Sequence, residues 1–281
     1  MSTQYTSSTQ PSSRDLVWYG LKRVEITVLL HIIGAVLAVI ASIALFATLP
    51  FYGAASPEIA YKGQAPSVAA SLAWLIIAVL FIALTSFIFL MPALSYFTMW
   101  KPGEFTESSR LMKLGFLIGS IILLVALLVI AIINAINTPD IIKEYNSREA
   151  LAKGLIWPII LGLIGSIIFF AGWIGSFLFL NKLKELFNAP VFSKLGIAVL
   201  IYGVVFVILK ASLLVAYYGY DARYELYSGI YTIAGYVTIY ALQPILGLAL
   251  LLGILGVVAW TLIYTEVLSL EKKILSGTLQ L

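Results

Sequence analysis

The chain has 281 residues, of which 62% are hydrophobic and 11% charged, with a mean hydropathy of +1.04 and a net charge of +4. A soluble domain carries about a quarter charged residues, so a water-soluble globule is excluded. With no cysteine and a single histidine, disulfides, thiolate metal sites and an ordinary histidine-based metal centre are excluded as well, and no cofactor or nucleic-acid partner is expected.

A helix needs about 20 apolar residues to cross the ~30 Å hydrocarbon layer, and six stretches qualify. The expected fold is therefore all-α: a polytopic bundle of six transmembrane helices over residues 18–265, with cytoplasmic tails at 1–17 and 266–281. Met1 to Ser13 is polar and uncharged, the composition of a disordered tail. The first span is Ile26 to Leu49, anchored by Trp18, Tyr19, Lys22 and Arg23. It is too long for the apolar region of a signal peptide. A loop with Gly53, Pro57 and Gly63 leads to the second span, within the charge-free run Gly63 to Trp100. The third, Leu114 to about Ile136, carries Gly115 and Gly119 in GxxxG spacing.

In the loop 137–153, Thr138 reads as an N-cap and Pro139 as the first residue of a short helix. Span four, Leu155 to Leu180, places Gly162, Gly165, Ser166, Gly172, Gly175 and Ser176 on one half of its circumference. Such small residues let a neighbouring backbone approach closely, which is how helices pack in lipid. The segment Lys182 to Phe187 reads as a short interfacial helix, basic on one side. Span five, Leu195 to Ala216, is interrupted by Lys210, and span six lies in the charge-free run Leu226 to Thr265. That run is expected to be one long helix, since two crossings and a turn would barely fit in it.

Part of the chain reads as a two-helix repeat, about 67–147 and 148–228. Lys101, Glu104 and Lys113-Leu114-Gly115 return as Lys182, Glu185 and Lys194-Leu195-Gly196, each 81 positions later (182 − 101). Six of 28 aligned positions from Ala93/Ile174 to Ser120/Ile201 are identical, three of them charges in a chain that has few. With six spans, 11 basic residues, Lys101, Lys113, Lys182 and Lys194 among them, fall on the side of both termini, and five fall opposite. The positive-inside rule makes that richer side cytoplasmic, and the four lysines its anchors.

Enzyme signatures are missing: no HExxH, no P-loop, no GxGxxG after a strand, no pair of abutting carboxylates within the apolar layer. The expectation is a protein without enzymatic chemistry. Lys210, some 10 Å below the outer interface at helical rise, either snorkels outward or faces an anionic partner. Pro244 frees the Tyr240 carbonyl and suggests a helix break, and Gln243 adds an amide beside it, in the outer half of the layer near the depth of Lys210. Lys210, Gln243, Tyr240 and the lone intramembrane His31 make up the candidate polar site. His31 is expected to bond a neighbouring helix or relay protons. Eight of the 16 tyrosines lie between Tyr217 and Tyr240, as an interfacial belt or an outward contact surface.

The Trp-Tyr-Gly-Leu-Lys-Arg run at 18–23, Gly-Leu-Ile-Gly-Ser at 162–166 and the Lys-Leu-Gly triplets at 113 and 194 resemble uncharacterised crenarchaeal multi-pass membrane proteins. The resemblance implies an archaeal plasma-membrane location and brings no activity or functional residue. Two readings stay open: a permease- or channel-like protein for a small solute or ion, and a non-transporting scaffold or accessory subunit that binds partner membrane proteins or its own copies in the lipid bilayer. The lack of securely buried carboxylates speaks against a proton-driven carrier.

Overall fold

The computed structural model describes residues 11–48, 73, 76–141, 145–223 and 231–278, with side chains left out chiefly at 134–141, 145–155, 209–223 and 231–246. Among these residues the chain is helical throughout, without strands. The long helices are α1 (Ser13–Thr48), α2 (Ile76–Trp100), α3 (residues 102–141), α4 (Tyr145–Phe187), α5 (Val191–Arg223) and α6 (Tyr231–Leu275). Four segments are long and apolar enough to cross a membrane: Ile76–Trp100, Pro102–Ile133, Ile156–Phe187 and Leu250–Leu275. The expected first and fifth spans lie in α1 and α5, of 36 and 33 residues.

Several local expectations are corrected. Helix α1 starts at Ser13 because Ser12 and Asp15 form a capping box: the Asp15 N–H donates to Ser12 Oγ at 3.2 Å, and the Ser12 N–H donates back to Asp15 Oδ2 at 3.2 Å. The Met1–Gln10 part of the expected tail lies outside the described residues. Thr138-Pro139 opens no new helix, for α3 runs through it to Ile141. Lys182 to Phe187 is the end of the continuous α4, with Leu183 and Phe187 buried. The long run before Thr265 holds a single helix from Tyr231 on, as its length requires, and α6 passes through Pro244 unbroken. One proline removes one hydrogen bond, and a membrane helix tolerates that.

The corners at the charged linkers are set by proline and left-handed residues. Lys101, extended at φ −139° between α2 and α3, precedes Pro102, and the residue before a proline is driven out of the helical region. Helix α4 ends at Asn188, φ 48°, just before Ala189-Pro190. The Ala189 N–H reaches back to the Lys184 carbonyl at 3.1 Å, which completes the cap. Gly277, φ 72°, ends α6 in the same way. The two prolines are 88 positions apart (190 − 102), not 81. The aligned lysines therefore differ locally: Lys101 sits in the corner, and Lys182 still lies inside α4.

Each helix packs on its sequence neighbours and α6 returns to α1, so the described bundle is a closed ring. Its outer face is a belt of exposed Ile, Leu and Val at helical spacing, such as Ile118, Ile121, Val125, Leu128 and Ile132 on α3. An apolar surface of that kind and extent marks contact with lipid or with another protein rather than with water. Polarity does not mark the inner face of such helices, because both faces are apolar; the small and aromatic residues mark it instead.

Candidate functional site

The tightest seam joins α3 to α4. A Cβ placed on Gly115 would lie 2.0 Å from the Gly172 backbone nitrogen, one on Gly119 2.5 Å from the Phe169 nitrogen, and one on Gly165 2.8 Å from the Leu123 nitrogen. Gly175 meets the Met112 nitrogen at 2.7 Å in the same sense, and Gly172 accepts the ring of Phe116. Gly162 and Ser176 are buried in the same helix, where the hydroxyls of Ser166 and Ser176 donate to the Gly162 and Gly172 carbonyls at 2.8 and 2.9 Å. At the inner end of this seam α3 passes through a π-turn, Leu114–Gly119. A second π-turn, Ser86–Leu90, interrupts α2 just before Pro92, whose missing N–H leaves the preceding turn one hydrogen bond short.

The ring axis is filled by aromatic side chains. Trp173 of α4 stands 5.1 Å from Phe116 of α3, 5.3 Å from Tyr202 of α5 and 6.1 Å from Trp260 of α6. Trp173 and Tyr202 in turn lie over Gly203 and Gly256, which have no side chain to hold them off. His31 of α1 closes the group, its ring 4.8 Å from Trp260. The His31 partner differs from the expected one: Nδ1 donates to the Thr27 carbonyl, 2.7 Å away on its own helix, while the Thr27 hydroxyl donates to the Arg23 carbonyl at 2.8 Å. Toward the charged linkers Phe97, Phe105 and Phe179 continue the packing at 5.1 to 5.5 Å.

The start of α1 and the end of α6 are held by charge. The Arg14 guanidinium donates to the Ile274 and Leu275 carbonyls at 2.8 and 3.0 Å, where the end of a helix leaves carbonyls unpaired. Lys22 pairs with Glu25, and its Nζ lies 3.7 Å from Glu271 Oε2. Glu271 is 6% exposed, and its Oε1 has no partner. It lies past Thr265, the last residue of the charge-free run, and so outside the apolar layer. Burial, reinforced by the negative charge of Glu25 and opposed by Lys22, pushes the Glu271 carboxyl above its ordinary pKa. Glu271 reads as a tail residue in the sequence until the helix carries it back against α1; it lies outside the layer to which the expectation about buried carboxylates applied.

Lys182 Nζ bridges Glu185 at 2.9 Å and Glu104 at 3.0 Å, so the two charged linkers meet. Those carboxylates hold the exposed ammonium above its ordinary pKa. Lys101 lies over the Trp100 ring at 4.7 Å, and Lys113 and Lys194 are exposed. The backbones of Lys210, Tyr240, Gln243 and Pro244 are helical, and their side chains lie outside the described residues, as do those of Tyr217 to Tyr240. No group of three or more metal-ligating side chains occurs among the described residues.

Comparison with protein families, with curated proteins and with solved structures finds no match. The four membrane-length helices and the lipid-facing belt define the class: an integral, multi-pass membrane protein.

Proposed function

We propose that this chain crosses the cell membrane six times with both ends in the cytoplasm and, without enzymatic chemistry, acts as a permease- or channel-like protein for a small solute or ion. The observation that carries the reading is convergence. Five helices send His31, Phe116, Trp173, Tyr202 and Trp260 to one axis inside a ring closed by α1 and α6. Such a cluster works as a gate if its rings can turn aside. Arg14 on the α6 carbonyls and Lys182 on Glu104 gather the termini and both linkers at one end, in support of an even number of crossings. The resemblance to crenarchaeal proteins supports an archaeal plasma membrane as its location.

The test is flux into proteoliposomes for a panel of small neutral solutes and monovalent ions. Trp173→Ala and Trp260→Ala are expected to raise permeability about tenfold over the parent, and the lipid-facing Ile167→Ala to leave it unchanged. If parent and variants all match empty liposomes, transport is refuted. The second reading, a scaffold or accessory subunit, is favoured by the solid Phe97–Phe105–Phe179 packing, and predicts a stoichiometric partner or a homo-oligomer in mild-detergent extracts. Topology is tested separately, and a chain without cysteine makes that simple. The single-cysteine variants Glu107→Cys and Lys184→Cys are expected to react with an impermeant maleimide only in opened cells.

A further inference from the structure

The buried core is two clusters, not one. The larger, toward the cytoplasm, holds Leu90 and Phe97 of α2, Phe116 of α3 and Phe169 and Trp173 of α4. The smaller holds Val79 of α2, Leu123 and Leu127 of α3 and Ile159 of α4. On each of these three helices the switch between clusters falls at a buried serine: Ser86 between Val79 and Leu90, Ser120 between Phe116 and Leu123, Ser166 between Ile159 and Phe169. The α3–α4 register puts two of them at one depth, since Gly119 meets Phe169 and Gly165 meets Leu123.

Two of these serines, Ser86 and Ser120, are not equivalent to the other hydroxyls. Thr27, Thr85, Ser95, Thr98, Ser166, Ser176 and Thr261 each donate to the carbonyl four residues back. Ser86 and Ser120 are 1% and 0% exposed, and neither Oγ has a partner. Both adjoin a π-turn, Ser86 opening one and Ser120 following the other, and π-turns recur at functional sites. A buried hydroxyl without a partner is costly, more so where lipid surrounds the bundle. Ser86 lies about 21 Å from Trp100 at 1.5 Å per residue, in the middle of its crossing. Among residues with described side chains, the Lys, Arg, Asp and Glu all fall in 14–25, 101–113, 182–194 and 266–273, away from this layer.

We propose that the buried, unpartnered hydroxyls of Ser86 and Ser120, beside two π-turns that pack on each other, with the Ser166 oxygen across the α3–α4 seam, form a binding site for a small uncharged hydrogen-bonding molecule, of the class that runs from water to a short polyol. Two hydroxyls that can each donate and accept, and a third whose oxygen can still accept, match such a molecule. Among the described side chains none beside them is charged, which disfavours an ion. The use of the site in permeation rests on the transport reading; its occupancy does not.

Two measurements separate the two claims. In lipid-reconstituted protein with labelled serine, magnetisation should pass from water or glycerol protons to Cβ of Ser86 and Ser120, and those peaks should vanish in the Ser86→Ala/Ser120→Ala variant. In stopped-flow swelling with glycerol, the double variant should be about tenfold slower than the parent, with lipid-facing Thr261→Ala unchanged. Transfer without flux keeps the site and refutes transport. If transfer is absent from both probes, or the double variant melts several degrees higher than the parent, the hydroxyls are dry and the proposal is overturned.

Discussion

Two seams close this ring, and they use opposite means. Along α3–α4 the backbones nearly touch: glycines at 115, 119, 165 and 172 remove Cβ atoms that would separate them, and the Lys182–Glu104 ion pair lies exposed at the linker end, outside the glycine contacts. Along α1–α6 the ends are held by Arg14, Lys22, Glu25 and Glu271, and farther in by His31 on Trp260. Lipid supplies no hydrophobic drive between helices, so close packing has to hold the first seam. The second lies at the charged end of the bundle, where water lowers the cost of charge. Packing of the first kind is unforgiving of added volume and indifferent to pH; the second kind should show the reverse.

The largest expected effect is at Gly115. Gly115→Val adds atoms where the Gly172 backbone stands 2.0 Å from even a first methyl, and backbone cannot rotate away. Overpacking commonly costs about 1–3 kcal/mol and sometimes more, and here the upper end or loss of folding is expected, read as lost monodisperse yield and melting temperature in detergent. Gly172→Ala should cost less, since its neighbour is the Phe116 ring, a side chain that can shift. Gly103→Ala, with nothing within 4 Å, should be silent. Equal losses at all three would show that the contrast between the seams is false.

That seam was legible in the sequence, because GxxxG at 115–119 and the small face of α4 are patterns of composition and spacing. The single helix within the run 226–265 was legible too, from length alone. The corners were not: the charges align at 81 positions while the chain bends at Lys101-Pro102 and Ala189-Pro190, and the local effect of proline outranks the charge register. Glu271 and the pair Ser86/Ser120 were missed for a different reason. Each is an ordinary polar residue in sequence, and only the neighbouring helix makes it buried. The signal within reach was Ser120 four residues past Phe116 and three before Leu123, on what becomes the inner stripe.

The α1–α6 seam should answer to pH. Glu271 has its pKa raised in the fold, so the folded state binds its proton more tightly than the unfolded chain does. By linkage this favours the fold below the unfolded pKa and is lost as pH rises through the folded value. Melting temperature in detergent should therefore fall as pH is raised from the acid side through that range. Glu271→Gln, which keeps the amide in place of the protonated acid, should flatten the slope. Lys22→Met should steepen it, because the ammonium is what offsets the paired carboxylates. A slope unchanged by Glu271→Gln would assign the pH response elsewhere.

The smallest effect is expected where the linkers meet. Lys182 bridges Glu104 and Glu185 at 3.0 and 2.9 Å, but all three are exposed to water, where such pairs contribute little and are screened by salt. Lys182→Ala should leave the melting temperature within error at physiological ionic strength. Its consequence should lie in orientation instead, because the positive-inside bias counts cations near the ends of crossings whatever they pair with. Replacing Lys182 and Lys184 together by Gln should produce a minority of inverted molecules, counted by protease protection in vesicles. A double variant that melts lower yet inserts in one orientation would mean that the bridge holds the bundle rather than orients it, and the linker end would then work like the glycine seam.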